Sequence, residues 1–295
     1  MSMNAMLAGL VGSVLWCSVA LAQPAPLLVD AAWLSQHLAD KDLVVLHVGN
    51  KAGYAKEHIP GARQIIDDDV AAAHDHSNPK DLMLELPPVE VLRGRLAALG
   101  ISDTSRIVVY VGANAGLPSA TRIIFTLDYL GLGERTSLLN GGLIGWKRAG
   151  EAVTDAAPSI LAGSLSPRPT KPLVVDAAFV KSVASRKDEK LVDARAAVFY
   201  KGIEPTYEKS GHIPGAVNIP FTDIADAQLV IDRDRVAQLF RNAGVGPTDT
   251  VVAYCHVGQQ ATAVLFAARL LGHRGVLYDG AFQDWAVYNR GPVEK

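Results

Sequence analysis

The chain has 295 residues, of which 49% are apolar and 20% charged, with a formal net charge of −2. That length favours two domains over one, and the composition is that of a globular protein with ample apolar material for a core. The near-neutral balance supplies no basic field, which argues against nucleic acid or an anionic lipid surface as a partner.

The opening stretch, MSMNAMLAGLVGSVLWCSVALAQPAP, is uncharged and apolar from Leu7 to Ala22 and ends in a small-x-small pattern before Gln23. It predicts a secretory signal peptide over residues 1–22, cut after Ala22, although no Lys or Arg precedes the apolar run. The expected location is exported and periplasmic. No stable membrane insertion is expected after cleavage, because the run is short for a span and no basic stop-transfer flank follows. The bulky Trp16 disfavours lipid attachment at Cys17. Cleavage removes Cys17, one of the two cysteines, and leaves Cys255 alone. No intramolecular disulfide is then available in the oxidising compartment. Cys255 is therefore either a small buried hydrophobe or a thiol kept for chemistry.

The remainder is written twice. Asp30 and Asp176 are N-caps for helical segments over 30–40 and 176–185. Apolar strands follow at Leu43–Gly49 and Lys190–Ala196. EHIPGARQI (Glu57–Ile65) then matches GHIPGAVNI (Gly211–Ile219). His74 and His76 form an HxH in AAAHDHSNPKD, read as a solvated loop because no further ligand is near in sequence. The runs RIVVYV (Arg106–Val111) and TVVAY (Thr250–Tyr254) are continuously apolar, as strands covered on both faces are, and each leads into an apolar helix. LLNGGLIGWKRAG (Leu138–Gly150) corresponds to VLYDGAFQDWAVYNRG (Val276–Gly291). Pro, Ser and small residues crowd 154–172. The expected organisation is a first domain over 27–150, a linker over 151–172 and a second domain over 173–295. Each domain is expected to be α/β, a mostly parallel sheet with helices on both faces. The period is far too long for a solenoid.

In such sheets ligands collect beyond the carboxyl ends of the strands. Cys255 stands there, opening the loop Cys255, His256, Val257, Gly258, Gln259, Gln260 before a helix that ends at Gly272. Unpartnered amides at the helix start point at one spot, with partial positive charge. They are expected to lower the thiol pKa below its usual value of about 8.5 and to receive an anion. In the first copy Tyr110 matches Tyr254, so Val111 stands in place of Cys255. The loop after it reads as longer and contains Pro118. The first copy lacks the nucleophile and is expected to support or shape the site.

LVDAR (Leu191–Arg195), GHIPGAVNIP (Gly211–Pro220), YCHVGQQA (Tyr254–Ala261) and YDGAFQDW (Tyr278–Trp285) carry a resemblance over nearly the whole mature chain. In their order and duplication they resemble the tandem-domain rhodaneses, the thiosulfate and 3-mercaptopyruvate sulfurtransferases. The resemblance implies two five-stranded parallel sheets, an inactive amino-terminal half and a catalytic carboxy-terminal half with Cys255 as nucleophile. It implies that the Cys255 thiolate takes the sulfane sulfur of a small sulfur-containing anion such as thiosulfate. The resulting persulfide passes to cyanide or a thiol. The loop amides from His256 to Gln260 would hold the negative charge. The resemblance implies neither a metal nor an organic cofactor.

Two cationic anchors of the family are missing. A basic pair follows the cysteine in animal-type thiosulfate enzymes, and Gly-Ser in mercaptopyruvate enzymes; here His256 and Val257 follow. Phe199 stands where the family often has arginine. His256 is left between supplying a donor or partial positive charge and facing solvent, and Gln259 and Gln260 are candidates to bind a sulfonate. Thiosulfate is the expected donor because a dipolar loop suits a small dianion. Alternatives are 3-mercaptopyruvate as donor and a non-enzymatic exported persulfide carrier. Arg195 is expected to pair with Asp193, with a place in the pocket as its alternative. Asp279 and Gly280 read as a turn that buttresses the loop. His58 and His212 read as structural, and Trp146 and Trp285 as packing residues. A phosphatase of related fold would need arginine at position 261, which is Ala261.

Overall fold

The computed structural model describes residues 26–75, 77, 78, 81–183 and 185–295. The signal segment 1–22, Cys17 and His76 lie outside the described residues. Asp30 and Asp176 cap their helices as expected. Each carboxylate accepts a backbone N–H at 2.8 Å, from Trp33 and Phe179, and the helices run Ala31–His37 and Ala177–Val183.

Ten strands follow in chain order. The first five are β1 (Leu28–Val29), β2 (Leu43–Val48), β3 (Arg63–Ile65), β4 (Arg106–Val111) and β5 (Thr136–Leu139). The second five are β6 (Val174–Val175), β7 (Glu189–Asp193), β8 (Val217–Asn218), β9 (Thr250–Tyr254) and β10 (Gly275–Tyr278). They form two five-stranded sheets, β1-β5-β4-β2-β3 and β6-β10-β9-β7-β8, the same order twice. Every pairing within them is parallel. The central strands β4 and β9 are buried from their second residues onward, which is why both read as unbroken apolar runs.

The duplication extends to individual side chains. Tyr54 stacks on His58 at 4.0 Å and Tyr200 on His212 at 3.8 Å. The two tyrosine hydroxyls donate to the carbonyls of Ala62 and Ala216. Trp146 and Trp285 each donate their indole N–H to a carbonyl a few residues on, Ala152 and Pro292. These four repeated positions hold the frame. The spacing from the matching tyrosines, Tyr110 and Tyr254, to the helices that follow is also equal. Pro118 lies in the first turn of the helix Leu117–Tyr129, where its missing N–H costs nothing, so Val111–Gly116 spans the gap that Cys255–Gln260 spans in the second half. The expectation of a longer first loop is corrected.

The halves meet along the helices Leu117–Tyr129 and Ala261–Leu271, which share one apolar core and touch through Thr121 Oγ1 and Thr262 Oγ1 at 2.9 Å. They also exchange arms. Asn140, just beyond β5, accepts the Ile231 N–H at 2.8 Å, and Asp279, just beyond β10, accepts the Leu86 N–H at 2.9 Å. Residues 155–172 have no helix or strand and lie against the first half, with Gly163 N–H donating to Ala97 and Asp103 N–H to Ser164. No helix among the described residues is long and apolar enough to cross a membrane.

Candidate active site

β9 ends at Tyr254 and the helix starts at Ala261, which leaves Cys255–Gln260 as a tight turn. Gly258 has φ +86, and a Cβ there would stand 2.8 Å from the Asp279 carbonyl oxygen. Only glycine fits both the angle and the space. The loop is also tied to the turn after β10: Phe282 N–H donates to the Cys255 carbonyl at 2.9 Å and Gln283 N–H to that of His256 at 3.1 Å.

Cys255 is 0% exposed. The backbone N–H groups of Ala261, Val257, Gln260 and Gly258 hydrogen-bond its sulfur and pull its pKa down, but burial pushes it up more strongly, so the net shift is upward. The expectation of a lowered pKa is corrected. The amide cradle is present, and the desolvation of a sealed sulfur outweighs it.

His256 is half-buried, and its ring is neutral at pH 7. Its ring meets Phe199 edge-on at 4.7 Å, and Nδ1 lies 3.5 Å from Thr206 Oγ1. Burial, then the nearby Arg195 charge, lowers its pKa to about 4. Val257 lies beside it, half-buried. Gln259 does not present its side-chain amide to a ligand, because Nε2 donates to Asp67 Oδ2 at 2.8 Å and Ser119 Oγ at 3.2 Å, both in the first half. Gln260 Oε1 is buried without a hydrogen-bond partner.

Arg195 takes the structural alternative. Nε and Nη2 grip Asp193 at 3.0 and 2.6 Å, Nη2 also donates to the Gly211 carbonyl at 2.8 Å, and the guanidinium lies 3.9 Å over the Phe282 ring. With both partners sealed, at 1% and 0% side-chain exposure, Arg195 does not line an open pocket. Tyr254 completes the cluster, donating its hydroxyl to Asp193 at 2.8 Å and accepting the Ile213 N–H. In the first half the hydroxyl of Tyr110 accepts the Ile59 N–H in the same way, but its partner is His47, at 2.8 Å, held neutral by burial with a pKa of about 4. Gly49 stands where Arg195 does, and a Cβ there would meet His47 at 2.7 Å. The copy without the cysteine thus replaces a buried ion pair with a neutral imidazole.

Several residues of the site escaped sequence reasoning. Arg122 donates Nη1 to Asp279 at 2.7 Å and Nη2 to the Leu84 carbonyl. A basic residue in the middle of the apolar helix Leu117–Tyr129 was the available signal. Asp67 and Ser119 hold Gln259, and no local pattern marks them.

The rhodanese-like domain family matches residues 30–149 and again 177–287. The chain belongs to the rhodanese-like family. Human 3-mercaptopyruvate sulfurtransferase is 31% identical over 294 residues, covering 94% of this chain and 92% of that protein. The 3-mercaptopyruvate sulfurtransferase of Escherichia coli strain K12 is 29% identical, with 90% and 97% covered. A thiosulfate sulfurtransferase of Azotobacter vinelandii is 28% identical, with 91% and 97% covered. The anaerobic ergothioneine biosynthesis enzyme of Chlorobium limicola, solved with trimethyl histidine, superposes with a TM-score of 0.78 at 23% identity, over 91% of this chain and 70% of that one. That likeness concerns the fold. This rhodanese-like chain is a sulfurtransferase, and its named relatives differ in the donor they use.

Proposed function

We propose that Cys255 carries the transferred sulfur and that thiosulfate is its donor. The thiolate attacks the outer sulfur, the sulfur–sulfur bond of thiosulfate breaks, and sulfite leaves with the bonding electron pair. The persulfide anion left on Cys255 yields its outer sulfur to cyanide or a thiol, which restores the thiolate. The observation that carries this reading is the convergence of four backbone N–H groups on one buried sulfur. Such dipoles stabilise an anion most where water is absent, and they need no reorganisation as charge moves between the two sulfurs.

A second donor, 3-mercaptopyruvate, is favoured by the names of the human and Escherichia coli relatives. The same thiolate would remove its sulfur and release pyruvate. We further propose that residues 1–22 are a cleaved export signal, that the mature protein is periplasmic, and that 27–150 and 173–295 are its two domains. Incubation with each donor, followed by intact-mass detection of a one-sulfur adduct and a thiocyanate assay with cyanide, tests the chemistry. Thiocyanate formation abolished by Cys255→Ser and retained by Val111→Ser is the expected result. An adduct without turnover would mark a persulfide carrier, and full activity in Cys255→Ser would overturn the assignment. An intact Met1 on the exported protein would overturn the signal.

A further inference from the structure

Two segments of the first half close on one turn of the second. In the turn 279–283, Gln283 donates Nε2 to the Asp81 carbonyl at 2.9 Å and accepts the Met83 N–H on Oε1 at 3.0 Å. Asp279, where that turn begins, accepts the Leu86 N–H on Oδ2 at 2.9 Å and Nη1 of Arg122 on Oδ1 at 2.7 Å. Nη2 of the same guanidinium donates to the Leu84 carbonyl. From the interface helix, Arg122 thus clamps the segment 81–86 and the turn together. The turn holds the cysteine loop at three points. The N–H groups of Phe282 and Gln283 bind the carbonyls of Cys255 and His256, and Asp279 lies against Gly258. A Cβ on Gly258 would stand 2.8 Å from the Asp279 carbonyl oxygen, 3.0 Å from its Oδ1 and 3.5 Å from Arg122 Nη1. The ion pair therefore packs directly against a residue whose N–H reaches the Cys255 sulfur.

Stability does not account for this arrangement. Arg122 Nε is buried with no hydrogen-bond partner among the described residues, so the guanidinium loses water without full replacement. A buried pair of this kind is often close to neutral against apolar residues of the same volume. What it supplies is direction, because a planar fork held at both ends fixes the carboxylate it grips. An amide that stabilises a sulfur anion has to be in place before the charge moves. We propose that Arg122 is a positioning residue for sulfur transfer: from the first half it fixes Asp279, and through Asp279 it aims the Gly258 N–H at the Cys255 sulfur. This rests on the sulfur-transfer reading of Cys255. Arg122 acts through the amide and not on the reacting atoms.

Arg122→Lys keeps the charge and loses the fork. Persulfide formation from thiosulfate, followed by intact mass in single turnovers, is expected to slow about tenfold, less than the roughly hundredfold cost of deleting such a donor outright. The half-saturating thiosulfate concentration is expected to stay within about twofold, because the lost interaction is with the moving charge and not with the bound donor. Arg122→Met/Asp279→Asn removes both buried charges, and its rate is expected to stay low while its urea midpoint recovers above that of Arg122→Met. A rate that returns with the urea midpoint overturns the proposal, since a purely structural pair acts through stability alone. Amide hydrogen exchange at Gly258 tests the placement without turnover. Arg122→Lys is expected to speed it about tenfold, as local opening does, with Val252 in β9 unchanged. Unchanged exchange at Gly258 overturns the role of Arg122, whatever the rates show. Absence of a sulfur adduct on the wild-type protein with either donor overturns the sulfur-transfer reading instead, and the exchange comparison still decides whether Arg122 holds the amide.

Discussion

The Arg122 guanidinium, in the half without the cysteine, donates to the Asp279 carboxylate at 2.7 Å, and Asp279 packs against Gly258 in the cysteine loop. One ion pair thus links the interface helix of the first half to the anion cradle of the second. With Gln259 held by Asp67 and Ser119, it ties the first half to the cysteine loop, although Val111 stands there in place of a cysteine.

Arg122→Met is expected to be strongly destabilising. Both side chains are buried, at 1% and 9% exposure, so removing one leaves an uncompensated charge inside the protein. The expected loss is about 3–5 kcal/mol. Urea unfolding of Arg122→Met and of the double variant Arg122→Met/Asp279→Asn checks this. The double variant should recover part of the loss, because it removes the orphaned charge.

Gly258→Ala is expected to cost roughly 1–2 kcal/mol from the left-handed backbone alone. The added methyl also collides with the Asp279 backbone, which must shift the loop amides away from the sulfur. A fall in thiocyanate formation larger than the fall in melting temperature would report that displacement. An unchanged rate would show that the loop tolerates it.

Alkylation of Cys255 by iodoacetamide is expected to be slow at neutral pH. The thiol is sealed, and burial pushes its pKa above the ordinary value for a thiol, so little thiolate is present at pH 7. The rate should climb through pH 9 and beyond without levelling at neutral pH. A plateau below pH 8 would mean that the four amides dominate after all.

Acid stability follows from two histidines. His47 and His256 have pKa values near 4 in the folded protein, below the ordinary 6.5, so the unfolded chain binds protons more readily between those values. Their contribution is fully present above about pH 6.5 and is lost as pH falls through about 4. Urea midpoints measured from pH 8 to pH 4 should drop in that window. His256→Gln should flatten part of the slope, since a side chain that does not titrate there removes its share of the linkage.

The duplication, the capping by Asp30 and Asp176, the central strands and the position of Cys255 between strand and helix were all legible in the sequence. Each depends on neighbours within a few residues, or on one half repeating the other, and spacing along the chain records both. Other features were settled only by the tertiary structure. The sequence shows a cysteine at a helix start, but whether its pKa falls or rises depends on how completely the packed molecule covers the sulfur. A free-looking His256 becomes neutral because Phe199, Thr206 and Arg195 converge on it, and Gln259 turns away from the site because Asp67 and Ser119 claim it. Burial and long-range charge are properties of the packed molecule. Local sequence decided where the sulfur and its amides stand, and only the packing of the two halves decided the dielectric and the partners around them.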